Sequence, residues 1–269
     1  LGADDKAGMA ALFEMARRLK EQNIEHGTIQ FVITAGEESG LAGAKELNPE
    51  HIIAKYGFAV DSDGKVGGIV TAAPYQAKIE TKIFGKTAHA GVAPEKGISA
   101  ITLASKAIAK MSLGRIDEDT TANIGRFEGG KATNIVCDEV YILAEARSIV
   151  KEKLDQQIAH MKETFEQVSK DLGGSAQVSV KLMYPGFSVT KEDKVVQVAM
   201  QAVQNIGREV MLGQSGGGSD ANVISGFGIP TVNLSVGYEE IHTTNERMPI
   251  EELEKLADLL VEIVKCSAK

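Results

Sequence analysis

Thr28-Ile-Gln-Phe-Val-Ile-Thr-Ala-Gly-Glu-Glu-Ser-Gly40 decides how the rest of the chain is read. Its first eight residues are an almost continuous β-forming run, the pattern of a strand buried on both faces of a parallel sheet. It ends in two adjacent carboxylates framed by Gly36 and Gly40. In open α/β sheets the ligand crevice lies at the carboxyl ends of the strands. Three other clusters of acidic or imidazole groups sit where a helix starts or an apolar run ends. Asp4-Asp5 precedes a helix, Asp61 follows Gly57 to Val60, and His242 comes a few residues past Pro230 to Val236. Carboxylates crowded together repel one another and resist ionisation unless a cation sits among them. The pattern predicts a bound dication and a hydrolytic enzyme.

Working outward, Met9, Leu12, Phe13, Ala16 and Leu19 keep helical spacing, which predicts a helix from Lys6 to Gln22. A short helix after Gly40 and a short strand at Gly57 to Val60 continue a βαβ rhythm, the mark of an α/β sheet with helices on its faces. The rhythm changes after Pro74-Tyr75. Gln76 to Thr87, Thr121 to Phe127, Val140 to Ser148 and Ala176 to Met183 read as strands. Ile98, Ile101, Ile108 and Met111 mark one helix. Leu154, Ile158, Met161, Phe165, Val168 and Leu172 mark a second, the strongest helical stripe of the chain. This is an inserted α+β domain of four antiparallel strands and two helices, with one face or edge left to pair with a second copy. From about Lys191 the α/β rhythm resumes, and Pro249 opens the last helix. The predicted boundaries are 1–75 and 186–269 for the α/β domain and 76–185 for the insertion.

The net charge of −8 and pI near 5.3 argue against nucleic acid or an anionic membrane as partner. No apolar run approaches the ~20 residues of a membrane helix. Only Cys137 and Cys266 are present, far apart, which fits a reducing cytoplasm.

Each candidate residue has a plainer reading. Asp4 and Asp5 could simply cap a helix, but Gly8 in the first turn is costly there, about 1 kcal/mol against Ala, and implies close backbone approach. Glu37 and Glu38 could be a solvated pair, or one could bind metal while the other acts as general base toward a water. Asp61 could be a turn residue and His242 a loop histidine without a role. His89, in the tight segment Lys86 to Gly91, could donate to a developing oxyanion or pack as a loop histidine. Arg147 ends a strand near Asn134 in the insertion; its guanidinium suits a substrate carboxylate or a local Glu. Gly216-Gly-Gly-Ser-Asp220 lacks the Lys of a phosphate loop and suits close approach to a substrate.

Gly2-Ala-Asp-Asp-Lys-Ala-Gly8, Glu37-Glu-Ser-Gly40, His89-Ala-Gly-Val-Ala-Pro94, Gly218-Ser-Asp-Ala221 and His242 together resemble the dinuclear zinc peptidase family of peptidase T, glutamate carboxypeptidases and aminoacylases. The likeness spans essentially the whole chain and is closest to the peptidase T-like branch. It implies a cytoplasmic hydrolase of short peptides with two zinc ions, for which cobalt or manganese can substitute. Asp4 would bridge the metals, Glu38 and His242 would bind one, Asp61 the other, and Glu37 would be the general base. Asn134, Arg147, Ser219 and Asp220 match positions near the substrate. His89 matches a lid histidine that serves the partner subunit's site in dimers, and the insertion matches the lid and dimerisation domain. The family's first motif, His-x-Asp on a strand before Asp-Asp-Lys, is absent. The chain therefore reads as a truncated form, expected to be inactive alone. A deacylase or carboxypeptidase on the same scaffold is the nearest rival. A non-catalytic binding or dimerisation module is the rival if the first motif is truly missing.

Overall fold

Residues 2–268 are described by the computed structural model. Numbered in chain order, the helices are α1 (Ala3–Glu21), α2 (Ala42–Lys45), α3 (Ala100–Ile108), α4 (Lys151–Asp171), α5 (Lys194–Asn205), α6 (Asp220–Gly226) and α7 (Ile250–Ser267). The strands are β1 (Gly57–Ser62), β2 (Gly68–Ala73), β3 (Tyr75–Phe84), β4 (Gly114–Arg115), β5 (Thr120–Gly129), β6 (Glu139–Ser148), β7 (Ser175–Tyr184), β8 (Phe187–Ser188), β9 (Met211–Gln214) and β10 (Thr231–Ser235). They form two units: residues up to 73 with those from 187 onward, and residues 74–186. Among the described residues no helix is long and apolar enough to cross a membrane.

The first unit is an α/β sheet in the order β1-β10-β2-β8, with β9 also paired to β2. It is mixed: β1 runs parallel to β10 and β9 parallel to β2, whereas β10 and β8 are antiparallel to β2. Val232, Leu234 and Val236 alternate onto one face of the sheet. There they join Ala7, Ala11, Met15 and Leu19 of α1, the apolar side of α5, and Leu256, Leu259 and Leu260 of α7. Fully buried side chains such as Leu234 and Leu256 each contribute roughly 1.5–3 kcal/mol. A smaller cluster of Ala73, Phe187 and Ala221, with Ala59 and Val70 against it, brings α6 to the sheet.

The run Thr28 to Ala35 is not a strand. It forms no ladder among the described residues, and Phe31 and Ile33 are 44% and 52% exposed. A strand exists only where a neighbour supplies complementary N–H and C=O groups, so β propensity alone does not make one. Here Gln30 to Thr34 and β1 residues Gly57 to Val60 line one cavity of about 490 Å³, and β1 stands at the end of its sheet. The α1 helix spans Ala3–Glu21, but Asp4 and Asp5 have non-helical dihedrals, so regular helix starts at Lys6, as its spacing predicts.

The second unit is an antiparallel sheet in the order β4-β5-β6-β3-β7, five strands instead of the four expected, the addition being the two-residue β4. Ala77, Ile79, Thr81 and Ile83 are completely buried along β3, while Lys78, Glu80 and Lys82 between them are exposed. The buried side packs on Leu154, Met161, Phe165 and Val168 of α4 and on Leu103, Ala104 and Ala107 of α3. Ile101 and Leu172, counted as core marks from spacing, lie outside it at 37% and 40% exposure. The α/β class with an α+β insertion stands.

Candidate active site

At the head of α1 the two aspartates do different things. Asp5 Oδ1 accepts the N–H of Gly8 at 2.9 Å, a capping contact. Asp4 makes no such cap. The first N–H groups of the helix are satisfied from elsewhere: Glu246 Oε1 accepts the N–H of Ala3 at 2.6 Å and of Asp4 at 3.4 Å. Gly8 is required by contact, since a Cβ there would lie 2.4 Å from the carbonyl oxygen of Val60 in β1. α1 is thus seated against β1, and the Asp4 carboxylate is left for other partners.

Glu37 and Glu38 sit in a turn that begins at Gly36, with φ of 71°, and closes where Gly40 and Leu41 donate to the Glu37 carbonyl at 2.9 and 2.7 Å. His242 comes from a loop closed by reciprocal backbone bonds between Glu239 and Arg247 and by their ion pair. His242 itself has φ of 61°, a left-handed conformation uncommon outside glycine. This aims the ring so that Nε2 lies 2.9 Å from Glu38 Oε1 and 3.2 Å from Asp4 Oδ2.

Asp4, Glu38 and His242 therefore present three ligand atoms within 4.8 Å of one another. Two carboxylate oxygens and one imidazole nitrogen are a donor set that suits zinc, with a further position left for water or substrate. Asp61 lies close enough to Asp4 for each to perturb the other's proton affinity, and Tyr238 Oη donates to Asp61 Oδ1 at 3.3 Å. Asp4, Glu37, Glu38, Asp61, Ser219 and His242 all line a cavity of about 290 Å³.

The electrostatics of the cluster point the same way. Burial, then the charges of Glu38, Asp220 and Asp4, push Glu37 up to about 7. Burial, which outweighs the Gly8 hydrogen bond, also pushes Asp5 to about 7. Asp61 is raised by burial and by the charges of Asp5, Glu37 and Asp4, and Asp4 is raised by burial and Glu38. The hydrogen bond and charge of Glu38 raise His242. A group of acids that holds protons because it is short of positive charge is one that a dication would stabilise. A carboxylate near neutrality at the cavity wall is suited to general-base work.

Ser219 and Asp220 open α6. The Ser219 hydroxyl accepts from the Ala221 N–H at 3.3 Å, and the Asn222 side chain accepts from the Ser219 N–H at 3.0 Å, a capping box. Asp220 Oδ2 accepts the Thr34 hydroxyl, while its buried Oδ1 has no hydrogen-bond partner among the described residues. A Cβ at Gly216 would meet nothing within 4 Å, and one at Gly217 would meet Ser215 Oγ at 3.8 Å.

His89, Asn134 and Arg147 belong to the second unit. His89 and Asn134 are exposed neighbours, joined where the Ala90 N–H donates to the Asn134 carbonyl at 2.9 Å. Arg147 has a local acidic partner. Its Nε and Nη2 donate to Glu145 at 2.9 and 3.2 Å, and Gln76 Nε2 donates to the same carboxylate at 2.6 Å.

Asn233, Tyr238 and Glu246 touch the cluster, and sequence reasoning passed over all three. Asn233 had a signal, as an amide inside the strand Thr231-Val-Asn-Leu-Ser235. Tyr238 and Glu246 had none beyond proximity to His242.

A model of peptidase family M20/M25/M40 matches residues 2–265. The chain is 66% identical over 269 residues to the uncharacterized protein YqjE of Bacillus subtilis strain 168, covering all of this chain and 72% of that one. It is 32% identical over 274 residues to peptidase T of Fusobacterium nucleatum, covering all of this chain and 66% of that protein, so it spans just under two thirds of that relative. Among solved structures, aminopeptidase PepT from Bacillus cereus ATCC 10987 aligns with a TM-score of 0.97 and 67% identity over 100% of this chain and 72% of that one. A tripeptidase from Staphylococcus aureus Mu50 aligns with a TM-score of 0.97 and 54% identity over 99% of this chain and 71% of that one.

Proposed function

The chain belongs to peptidase family M20/M25/M40, and from that premise we propose that it serves as a zinc aminopeptidase of short peptides, tripeptides foremost, in the cytoplasm. The observation that carries this reading is the convergence of one ligand atom each from Asp4, Glu38 and His242 within 4.8 Å, with Glu37 on the same cavity wall. The tripeptidase and aminopeptidase names of the two similar structures support the choice of substrate.

In this reading Glu38 and His242 would hold one metal, Asp61 would hold a second, and Asp4 would serve both. Bound zinc supplies Lewis acidity toward the scissile carbonyl and makes water more acidic. Glu37 takes the proton from the attacking water and returns it to the leaving amine, a role that fits its place beside the ligands and its raised proton affinity. Ser219 borders the same cavity and Asp220 borders the cavity of about 490 Å³ that Glu37 and Asp61 also line, and both shape the substrate's approach. The inserted unit acts as the lid and as a dimerisation element. Within this unit His89 is assigned to the oxyanion and Asn134 and Arg147 to the peptide, with Glu145 bracing the guanidinium.

The test is hydrolysis of a panel of di- and tripeptides against N-acylated amino acids, with added zinc and with a chelator. Chelator-sensitive release of the N-terminal residue is expected. Preference for N-acyl substrates would make the protein a deacylase on the same scaffold. Absence of any metal-dependent amide hydrolysis would leave it a binding module.

A further inference from the structure

β1 pairs with β10 in regular parallel register from Gly57 opposite Thr231 to Val60 opposite Leu234. The next pair is Ser62 opposite Ser235, so Asp61 is an extra residue with no partner in the ladder. A bulge of this kind leaves the extra residue's N–H and C=O without strand partners, and it bends the strand and re-aims a side chain. Both groups are nevertheless satisfied, by one side chain. The Asp61 N–H donates to Asn233 Oδ1 at 2.9 Å, and Asn233 Nδ2 donates to the Asp61 carbonyl at 3.2 Å. A primary amide has the same donor and acceptor as a peptide unit, and Asn233 supplies to the bulge what the backbone of β10 does not.

The same Nδ2 donates to Ser219 Oγ at 3.2 Å. Asn233 is 5% exposed, on a central strand between β1 and β2, so water does not compete for these bonds. One amide thereby joins the residue that re-aims at the cluster to the residue that caps α6. Released from strand alternation, the Asp61 carboxylate meets Tyr238 Oη and the Asp4 carboxyl.

We propose that Asn233 is a positioning residue: its side-chain amide holds the bulge that turns Asp61 into the acidic cluster and ties that bulge to the head of α6. Its consequence for metal rests on the proposed reading of Asp61 as a ligand. Residues that orient a ligand rather than bind metal cost 10–100-fold in affinity when removed, as a rough range.

Asn233→Leu keeps the approximate size and removes all three bonds. Asn233→Asp keeps the acceptor for the Asp61 N–H and removes the donor to the Asp61 carbonyl. Thr231→Val alters the same face of β10 without touching Asp61 and controls for general loosening. Two quantities are read in each: zinc affinity by competition with a chromophoric chelator, and hydrogen exchange of the Asp61 amide relative to Val60 and Leu234. Asn233→Leu is expected to weaken zinc at least about tenfold and to expose the Asp61 amide while its neighbours stay protected. Asn233→Asp should keep that amide protected and still lose affinity. Thr231→Val should change neither. Should Asn233→Leu not fold, Asn233→Asp decides through its affinity. Wild-type zinc binding and Asp61 exchange in the Asn233 variants would overturn the proposal. If the wild-type protein takes up no zinc, the metal reading fails, and Asp61 exchange alone decides whether Asn233 holds the bulge.

Discussion

Nε2 of His242 lies 2.9 Å from Oε1 of Glu38 across a separation of 204 positions in the chain. Neither residue is buried, so apolar packing of their side chains does not hold them together. The contact depends on backbone geometry at both ends, a Gly-framed turn at Glu37-Glu38 and a left-handed residue at His242. His242→Ala should therefore reduce zinc affinity strongly while leaving the melting temperature of the metal-free protein nearly unchanged. Equilibrium dialysis against zinc, with a thermal melt in chelator, reads both; retained affinity would remove His242 from the ligand set.

Glu37 and Glu38 are adjacent, yet their substitutions should part company. Glu37→Gln keeps size and loses the proton acceptor, so turnover should fall by roughly 10²–10⁴-fold with metal content retained. Glu38→Gln should lose metal. Elemental analysis beside peptide hydrolysis separates the two, and the reverse pattern would exchange their roles.

Acidic groups in the cluster predict an unusual pH dependence of stability. Burial pushes Asp5 and Glu37 up to about 7 in the folded protein, against ordinary values of 3.8 and 4.5. A raised folded value means that the native state holds the proton more tightly than the unfolded chain. That stabilisation is full below the unfolded values and is lost as pH climbs through about 7. His242, also raised, adds to the loss in the same direction. In chelator the melting temperature should fall between pH 5 and pH 8, and zinc should restore it most at the alkaline end. A melting temperature that rises over this interval without metal would contradict the electrostatic picture.

Gly8→Ala sets two effects against each other. Helix propensity favours Ala by about 1 kcal/mol. The new Cβ, however, would sit 2.4 Å from the Val60 carbonyl oxygen and 2.5 Å from the Asp5 carboxylate, and forced overlap in packed structure costs typically 1–3 kcal/mol. Net destabilisation is expected in urea titration, together with weaker metal binding as α1 lifts from β1. A stabilised variant would show that α1 is free to shift.

Glu246 holds the first N–H groups of α1 from the loop that also carries His242. Glu246→Ala should weaken zinc binding and lower the melting temperature, and Glu246→Gln, which keeps an acceptor oxygen, should recover part of each. Equal behaviour of Ala and Gln in both measurements would mean that the clasp does not position Asp4.

What can be read along the chain is whatever repeats within it. The stripe of α4 and the alternation of β3 declare themselves because residues that share a face recur every three or four positions, or every two. The side chains suited to holding metal are legible too, because carboxylates and imidazole are few and their chemistry is specific. Pairing and direction are another matter. Thr28 to Ala35 has the composition of a buried strand and forms no ladder among the described residues, since hydrogen bonds require a neighbouring edge that composition does not name. Arg147 reads equally well as a substrate anchor or a partner of Glu145, and only the fold of β6 beside β3 puts Gln76 and Glu145 around it. The bulge at Asp61 is invisible in Gly57 to Ser62, because it arises from the register with β10, distant in sequence, and from an amide on that strand. Local periodicity is a property of neighbouring residues; ligand geometry is set by long-range contacts, and these exist only once the chain has closed on itself.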